Sequence, residues 1–554
     1  MKASMTTALL GLWALCTLSA QTTVVNINSN DLRARISSNG ALASDGQWLE
    51  AQGENGWAPL ISDVGLWLSG KQPDGELAFW STSRGGEPRL ASSSQVFNKV
   101  WAVSAQDIIG HRADFADNGQ IDDPNPAVYA WPGQGNPFFA EYNDFSLPTA
   151  SLAPLAPFWD ENGDGVYNPA QGDFPILQIR GCINASIPTD MYWCVFTLEG
   201  EQAGLRPIEV QLTAFNYACS EENHPLNNTL FTLHKLIYYA DENVGGLSDC
   251  YWGQWADVAL GCYQDDYVGS FPERHAAYVY NAGSSDCTTS EENFGPNPPV
   301  LGIEMLRGPL DELAQEAPLS SIMYYNNPSN GNPAAATTDP NTVAEFYYYL
   351  QGLWRDGSPL TEGGTGYNGS TATNFIFPGL PQQPGGWTEW EAQNPAGDRR
   401  LLLNYGPFTL LPGAVNEVIT AYTLYDGPEN HLDKAAQLRD QIDLVQAGFD
   451  NCLDLENAIG LPACTQSLTY IAPEPGHGRI AITPNPASGW LSMDLPVAGD
   501  YIYKLYDSQG RLLQQSKLPG GRQEVDLPAL PAGVYVLTLE TADGWRQVER
   551  VVVR

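Results

Sequence analysis

The pattern that most constrains this chain is the alternation of apolar and polar residues in its last segment, residues 479–554. Short stretches at 491–495, 501–506 and 533–539 alternate in polarity with a period of two. Residues typical of tight turns separate them, at Asp507-Ser508-Gln509-Gly510 and at Asp543-Gly544. A period of two turns one face of each strand toward a core. We therefore predict a small, immunoglobulin-like antiparallel β-sandwich in this segment.

The same segment carries a resemblance. The residues concerned are Pro484-Asn485-Pro486, Leu505-Tyr506-Asp507 with Gly510-Arg511, Gly533-Val534-Tyr535 and the basic-ended stretch 550–554. In these residues the segment resembles the type A C-terminal sorting domain of the type IX secretion system. The resemblance implies that residues 479–554 are read by an outer-membrane translocon and its sorting machinery. It also implies that the protein is secreted, to the outer cell surface or the extracellular medium.

The start of the chain agrees with export. Residues 1–20 contain an early Lys2, an apolar run at 8–15, and small residues Ser19 and Ala20. This pattern is typical of a secretory signal peptide cleaved before Gln21. The apolar run is too short to span a bilayer, and no other stretch approaches that length. We predict no transmembrane segment.

The charge of the chain is strongly and unevenly acidic. Its formal net charge is −38, from 64 acidic and 26 basic residues. Residues 21–478 hold 56 of the acidic and 17 of the basic residues, whereas residues 479–554 hold eight of each. Such an acidic body will not bind nucleic acid or an anionic membrane through non-specific charge. The acidity suits a medium that contains divalent cations, and it is explained equally well by solubility alone.

Length and composition set the fold class. A chain of 554 residues exceeds one typical core, and its 54 Gly, 41 Pro and 11% aromatic residues come with few helical patterns. We predict a mainly β protein with a large, loop-rich β-sandwich-type body and a few helices. The predicted order is a signal peptide (1–20), the body (21–470, one domain or two subdomains), a Pro/Gly linker (471–478) and the sorting domain (479–554).

Local patterns predict individual elements of the body. Strands are predicted at 64–70, 76–80, 208–215 and 229–239. Two helices are predicted: one starts at Asp339-Pro340 and reaches about Trp354, and the other starts near Asn430 and reaches Phe449. Residues 111–175 are acidic and rich in Pro, Gly and Asn, so we predict a long irregular region there.

The cysteines favour disulfides. Nine are present, and Cys16 lies in the predicted signal peptide, which leaves an even number in an exported chain. Local pairs, Cys250–Cys262 and Cys452–Cys464, are the simplest choice, and the connectivity stays open. A zinc site is disfavoured because no Cys-x-x-Cys occurs and no histidines cluster beside the cysteines.

Residues 160–173 form the best candidate metal site. Side-chain oxygens at every second position, followed by Gly165, match the first half of an EF-hand-type calcium loop. The twelfth position is Gln171 where a Glu belongs, so Asp173 is predicted to substitute. The predicted calcium ligands are Asp160, Asn162, Asp164, Val166, Asn168 and Asp173. The alternative is an Asn/Gly-rich turn whose side chains cap their own backbone.

The body as a whole resembles a family of large secreted proteins of uncharacterised activity that carry the same C-terminal segment. The matching blocks, in order, are 65–70, 117–122, 131–136, 160–173, 265–269, 298–302, 350–359, and 397–400 with 406–408. The resemblance supplies no mechanism.

The chain contains two further groups of acidic residues. The first, which lies in the same irregular region as the loop, is suited to a second cation or to sharing the first: Asp114, Asp117, Asn118, Asp122 and Asp123. The second is Asp257 with Asp265 and Asp266. Members of the resembling family tend to have more acids there, at the places of Ala259 and Phe271. A solvated loop is therefore favoured over a metal at this group.

No catalytic motif is found: the sequence has no Gly-x-Ser-x-Gly, His-Glu-x-x-His or P-loop. An acid lies among aromatic residues at Trp387-Thr388-Glu389-Trp390, where a β-strand with aromatic cross-strand packing is favoured over a sugar platform. We expect a calcium-stabilised binding or structural protein rather than an enzyme, with glycans or surface polymers as candidate partners. The alternative is a polysaccharide-acting hydrolase or a carbohydrate-binding protein.

Overall fold

The structure is a computed structural model. It describes residues 24–42, 49–84, 97–147, 153–182, 185–221, 223–240, 245–287, 292–455, 461, 464, 482–483, 487, 489–506, 512–531, 533–541 and 546–553. The predicted signal peptide and linker lie outside these residues. The chain separates into two compact units, residues 1–159 with 167–468 and residues 160–166 with 469–554.

The first unit, the body, contains eighteen described strands. They are β1 (Val24–Ile27), β2 (Leu32–Ser37), β3 (Leu49–Gly53), β4 (Gly56–Lys71), β5 (Leu77–Ser81), β6 (Trp101–Ser104), β7 (Phe158–Trp159), β8 (Phe174–Pro175), β9 (Asp190–Leu198), β10 (Ile208–Asn216), β11 (Thr229–Tyr238), β12 (Leu247–Val258), β13 (Asp266–Phe271), β14 (Ala276–Asn281), β15 (Val300–Arg307), β16 (Leu319–Asn326), β17 (Arg399–Leu410) and β18 (Val415–Tyr425). The four strands predicted in this unit are confirmed as β4, β5, β10 and β11; the predicted ranges 76–80 and 229–239 each extend one residue beyond the observed strand.

The described helices of the body are fewer. They are α1 (Ala105–Asn118), α2 (Pro126–Tyr129), α3 (Phe139–Asn143), α4 (Val343–Leu350), α5 (Glu389–Ala392) and α6 (Lys434–Asp450). The predicted mainly β class with a few helices is confirmed.

Two eight-stranded antiparallel sheets form the frame of the body. Sheet one runs β1-β2-β3-β4-β12-β17-β16, with β5 added to β4, and sheet two runs β13-β14-β15-β18-β11-β10-β9-β6. The sheets share a core, which the alternation of side chains along β12 illustrates. Gln254 points inward and donates to the Tyr422 hydroxyl of sheet two at 3.2 Å. Trp255 points outward, stacks on Trp67 with ring centroids 5.9 Å apart, and lies in the aromatic layer under α4.

Sheet two is covered on both faces, and its strands are therefore apolar in nearly every position. Residues 208–216 of β10 are all buried. On the face away from sheet one, Trp193, Phe215 and Phe231 pack in one cluster with Ile108 of α1 and Phe449 of α6. The body is thus a sandwich with helices on both outer surfaces.

The prediction that residues 111–175 are irregular is wrong at 111–118, because these residues belong to helix α1. Ser104 and Asp107 form a capping box, in which Ser104 Oγ accepts from the Asp107 N–H at 3.1 Å and Asp107 Oδ2 accepts from the Ser104 N–H at 2.9 Å. Gly119, at φ 77°, ends the helix in the left-handed conformation that glycine adopts without strain. The Ser-x-x-Asp and the glycine were readable signals that the polar composition obscured.

The two predicted helices exist with shifted starts. α4 begins at Val343 rather than Pro340, because Thr342 and Glu345 form its capping box, and it ends at Leu350. α6 begins at Lys434 rather than near Asn430 and ends at Asp450. One face of it is buried, with Leu438, Ile442, Val445 and Phe449 at helical spacing.

The predicted local disulfides are wrong. The bonds are Cys182–Cys452, Cys219–Cys464 and Cys262–Cys287, so two of them join residues far apart in the sequence. The chain beyond α6 returns to sheet two, which places Cys452 and Cys464 beside partners from much earlier. Cys250 is a buried free thiol, as is Cys194. Burial raises the pKa of each thiol to about 12, which makes both poor nucleophiles.

The C-terminal part has its own sheet and core. Its strands are β19 (Ile482–Thr483), β20 (Trp490–Tyr506), β21 (Leu512–Asp526), β22 (Gly533–Thr541) and β23 (Arg546–Val553). The order is β19-β20-β22-β23, with β21 paired to β20. Leu491, Tyr503, Leu537 and Val551 are among its buried core residues. The predicted strands are confirmed, and the predicted turns and Pro484-Asn485-Pro486 lie outside the described residues.

One buried carboxyl of sheet two yields a stability prediction. Glu304 of β15 is 1% exposed, and its Oε2 is buried with no hydrogen-bond partner. Burial, with Asp443 and Asp450 nearby, raises the pKa of Glu304 well above its ordinary 4.5. The contribution of Glu304 to the free energy of unfolding is therefore fully present below pH 4.5, where the carboxyl is neutral in both the folded and the unfolded chain. It is lost as the pH rises toward the pKa of Glu304 in the folded protein, at about 1.4 kcal/mol per pH unit.

Glu304→Gln is therefore expected to have a higher free energy of unfolding than the parent at pH 8. This gain over the parent should be about 1–3 kcal/mol larger at pH 8 than at pH 4.5. Urea unfolding of both proteins across this range measures the difference. The exposed Glu391→Gln serves as the matched control, for which no such pH-dependent gain is expected. A Glu304→Gln gain that is equal at both pH values would contradict the assignment of a neutral, buried carboxyl.

Candidate functional site

The first half of the predicted calcium loop, residues 160–166, is an exposed, self-capped turn. Asp160 Oδ1 accepts from the Gly163 N–H at 2.7 Å, and its Oδ2 accepts from the Gly165 N–H at 2.7 Å. Asp164 Oδ1 accepts from the Val166 N–H at 2.8 Å, and Asn162 Oδ1 accepts from the Asp164 N–H at 3.0 Å. Each of these side chains is turned toward the backbone of its own loop. This is the Asn/Gly-rich turn, with side chains that cap their own backbone, that the sequence gives as the alternative to a calcium loop. Calcium binding at residues 160–173 stays a prediction.

The second half of the predicted loop lies in the body and differs in exposure. Asp173 is fully buried, and its Oδ2 accepts from the Asn168 N–H at 2.7 Å. Asn168 Nδ2 donates to Gln171 Oε1 at 2.9 Å. Gly172, at φ 96°, lies against the ring of Phe115 in α1, where a Cβ would come within 2.6 Å of it. Asp173 thus closes the turn that carries Asn168.

The second acidic group lies at the end of α1. Carboxylate oxygens of Asp114, Asp117 and Asp122 come within 4.8 Å of one another. Asp114 Oδ2 already accepts from the N–H groups of Asp122 and Asp123, both at 3.0 Å. The group is largely exposed, and exposed carboxylates are well solvated without a metal, so its role as a cation site also stays a prediction.

The third acidic group divides into two separate sites. Asp257, whose pKa burial raises to about 6 despite the nearby Arg400, pairs with Arg400 at 3.3 Å. The same guanidinium pairs with Asp398 at 2.9 Å. Asp265 and Asp266 lie instead at the start of β13. The expectation of a solvated loop is wrong for Asp266, which is 0% exposed.

Two residues that the sequence reasoning missed lie beside Asp265 and Asp266. Asn281 is the cross-strand partner of Asp266 at the open end of the β13–β14 hairpin. Asp286, 2% exposed, accepts from the N–H groups of Cys262 at 3.1 Å and Phe294 at 2.8 Å. The hairpin turns at residues 272–275 and pairs residue 266 with residue 281. The six residues on each side of that turn were the signal that could have found Asn281.

Burial and like charge act together on this group. Burial and the neighbouring Asp286 raise the pKa of Asp265 to about 7. Burial and Asp265 raise the pKa of Asp266 well above its ordinary value. Burial also raises the pKa of Asp286, against the hydrogen bonds that it accepts. Three carboxyl groups therefore compete for ionisation at one end of a hairpin.

The segment Trp387-Thr388-Glu389-Trp390 is not a strand. Thr388 caps the short helix α5, because its Oγ1 accepts from the Glu391 N–H at 3.0 Å. Glu389 is completely buried and pairs with the buried Arg399 at 3.0 Å. Its Oε2 also accepts from the Val268 N–H at 2.8 Å. Glu389 therefore joins α5 to β13 and β17, while Trp390 remains 40% exposed.

An open groove lies on the body surface where the β3–β4 turn, residues 294–299 and residues 426–428 meet. Glu54 and Asp426 are the carboxylates that line it, together with Phe294 and Asn297. The buried carboxyls with raised pKa, Asp266, Glu304 and Glu389, do not line this groove.

The C-terminal sheet is the part of the structure that comparison with known families identifies. Residues 481–554 match the family model described as "secretion system C-terminal sorting domain". The chain carries a type IX secretion sorting domain. The match supports export by that system, an interaction with its sorting machinery, and a location outside the cell or on its surface. None of the described helices is both long and apolar enough to cross a membrane.

Other comparisons add little beyond the sorting domain. A search of curated proteins finds no match. One solved structure that matches is a polysaccharide lyase, at 9% identity, and the likeness spans 65% of this chain and 35% of the lyase chain. This chain thus matches about a third of the lyase. The TM-score of 0.17 is too low for that likeness to support an argument about the body.

Proposed function

We propose that the protein is a secreted surface or extracellular protein whose acidic body is a calcium-stabilised binding or structural module. The observation that carries the proposal is the sorting domain at residues 481–554, which supports delivery of the body to the outside of the cell. There the 56 carboxylates of the body meet a medium in which divalent cations are available.

The chemistry of the body supports binding over catalysis. Among the described residues, three carboxyls with a raised pKa are buried within the fold: Asp266, Glu304 and Glu389. Glu389 is already committed to Arg399, and Asp257 is committed to Arg400. A general acid must reach its substrate, and these groups are closed off from solvent.

A polysaccharide-acting or carbohydrate-binding protein is the second candidate. The observation that favours it is the exposure of large aromatic side chains, with Trp159 43% and Trp390 40% exposed. Exposed tryptophan rings provide flat apolar faces on which the faces of sugar rings stack. Trp390 is the better candidate of the two, since it lies on α5, which the buried Glu389–Arg399 pair holds in place.

The calcium part of the proposal predicts a large change in thermal stability. With calcium at about 100-fold excess over its Kd, the folded protein is expected to gain about 2.7 kcal/mol relative to the chelated form. Differential scanning calorimetry of the purified protein in calcium and in EGTA, at equal ionic strength, measures the shift. Magnesium at the same concentration is the control for general charge screening. An unfolding midpoint that is the same in calcium and EGTA would refute calcium stabilisation.

The binding part of the proposal is tested with a glycan array and a panel of polysaccharide hydrolase and lyase substrates. We expect no turnover of any polysaccharide by the purified protein. The carbohydrate-binding candidate would be established if the protein binds a glycan and Trp390→Ala abolishes that binding. Leu313→Ala, a change at another exposed apolar residue, is the control and should leave the binding intact. Release of new reducing ends or unsaturated products would refute the proposal that the body is not an enzyme.

A further inference from the structure

Near the Cys262–Cys287 disulfide, three buried side-chain oxygen atoms accept no hydrogen bond. Asp266 is 0% exposed, and its Oδ1 is buried without a donor, while its Oδ2 accepts only from the Leu260 N–H at 3.2 Å. Asn281 is also 0% exposed, with a buried Oδ1 that accepts nothing. Asp265 Oδ1 is a third such atom. Buried acceptors of this kind are rare, because each one costs the free energy of its lost hydration.

The contacts of Asn281 and Asp286 show that the side chains that carry these oxygens are neighbours. Asn281 Nδ2 donates to Asp286 Oδ1 at 3.4 Å, which fixes its amide group against that carboxylate. Carboxylate oxygens of Asp265 and Asp286 lie within 4.8 Å of each other. Asp266 stands opposite Asn281 across the hairpin. Asp265, Asp266, Asn281 and Asp286 therefore form one local group at the open end of the hairpin.

When these carboxyls are ionised, no cation of the described part of the chain pairs with them. No ion pair with Lys, Arg or His forms at Asp265, Asp266 or Asp286 among the residues that the structure describes. The Arg399 and Arg400 side chains of neighbouring β17 are paired with Glu389, Asp257 and Asp398. A buried water would donate to two of the acceptors but would add no positive charge. A cation would satisfy the oxygens and the charge together.

The donor set selects the kind of cation. The two sulfur atoms in the group belong to Cys262 and Cys287, which are bonded to each other and so supply no thiolate. What remains is oxygen alone, from carboxylates and one amide, which suits a hard cation and disfavours zinc or copper. We infer that Asp265, Asp266 and Asn281, with Asp286 behind them, bind Ca²⁺ and so fasten the β12–β13 turn to the end of the β13–β14 hairpin.

The site is preorganised by elements that do not depend on the ion. The hairpin sets Asp266 opposite Asn281, and the disulfide joins the turn at Cys262 to the chain at Cys287. Asp286 is held by the N–H groups of Cys262, Cys287 and Phe294. This inference rests on the calcium stabilisation proposed above, and it locates an ion away from residues 160–173.

The test is calcium titration by isothermal calorimetry and calcium-dependent thermal unfolding of three full-length proteins. They are the parent, Asp266→Asn, and the control Asp164→Asn in the exposed loop. Asp266→Asn is expected to bind one calcium ion fewer, or to bind it more than about tenfold more weakly, and to lose most of the calcium-dependent rise in midpoint. Asp164→Asn is expected to keep the calcium-dependent rise in the unfolding midpoint that comes from calcium bound at Asp265, Asp266 and Asn281.

The same variant has a second readout that a merely structural role would not give. In EGTA, Asp266→Asn is expected to unfold at or above the parent midpoint, because it removes a buried carboxyl that has no partner of opposite charge. If Asp266→Asn is poorly folded, Asp265→Asn at the half-buried neighbour replaces it with the same expectations.

The outcomes separate the inference from the proposed function. A parent that responds to calcium, with Asp266→Asn and Asp265→Asn responding equally, would overturn this site and leave calcium stabilisation standing. A parent that neither binds nor responds to calcium would overturn both. Loss of stability in EGTA as large as the loss in calcium would show that Asp266 serves packing alone, and would likewise overturn the site.

Discussion

A chain that ends before residue 481 is expected to remain inside the cell envelope instead of reaching the outer surface or the medium. The physical reason is that the truncation removes the whole five-stranded sheet that matches the sorting domain, and with it the surface that the translocon reads. In a bacterium that has a type IX system, we expect the secreted fraction to fall to background. Immunoblots of medium, intact cells treated with protease, and periplasmic extract measure this directly.

A fusion supplies the control for that truncation. A periplasmic reporter that carries residues 479–554 at its C-terminus is expected to be exported, because the tail has a separate core that includes Leu491, Tyr503 and Val551. Tyr503→Asp, which places a charge in that core, should abolish export of the fusion. A truncated chain that still reaches the medium would show that the sorting information lies in the body.

Arg399→Met is expected to destabilise the body by about 3–5 kcal/mol, because it leaves Glu389 charged and buried without its partner. Arg399 is 3% exposed and Glu389 is 0% exposed, and they pair at 3.0 Å. Arg399 also donates to Asn326 Oδ1 at 2.8 Å, so the loss reaches β16. Urea unfolding followed by tryptophan fluorescence gives the difference.

Two matched variants separate charge from packing at this pair. Arg274→Met removes a guanidinium from an ion pair with Asp443 whose carboxylate side is 49% exposed, and it should cost less than about 1 kcal/mol. Combining Arg399→Met with Glu389→Gln removes both charges and should cost less than Arg399→Met alone. If the double change costs as much as the two single changes together, the pair contributes by packing and not by charge.

Much of the architecture was predictable because it follows from local alternation. The strands of the C-terminal sheet and the apolar stretches within β4, β10 and β11 have a period of two or are apolar on both faces. The buried stripe of α6 has helical spacing. Helix α1 was missed because its apolar face is short, with Ile108 the one large apolar residue that is fully buried among its described side chains, so the capping box was its strongest signal.

The disulfides and the buried acidic site were beyond local reasoning for one common reason. Cys182 meets Cys452 because the chain after α6 returns to sheet two, and no pattern around either cysteine encodes that return. Asp266 and Asn281 meet because a hairpin pairs them, and Asp286 joins them through a loop. The sequence shows which residues are acidic, whereas burial, which decides whether a carboxylate needs a cation, depends on the packed sheets.

The most direct test of the account is anomalous-difference density for calcium in crystals of the protein grown with calcium in the solution. We expect a peak bounded by Asp265 Oδ1, Asp266 Oδ1 and Asn281 Oδ1, with oxygen distances of about 2.3–2.6 Å. Water at that position, or no density between those three oxygens, would contradict the claim that a buried calcium ion stabilises the body.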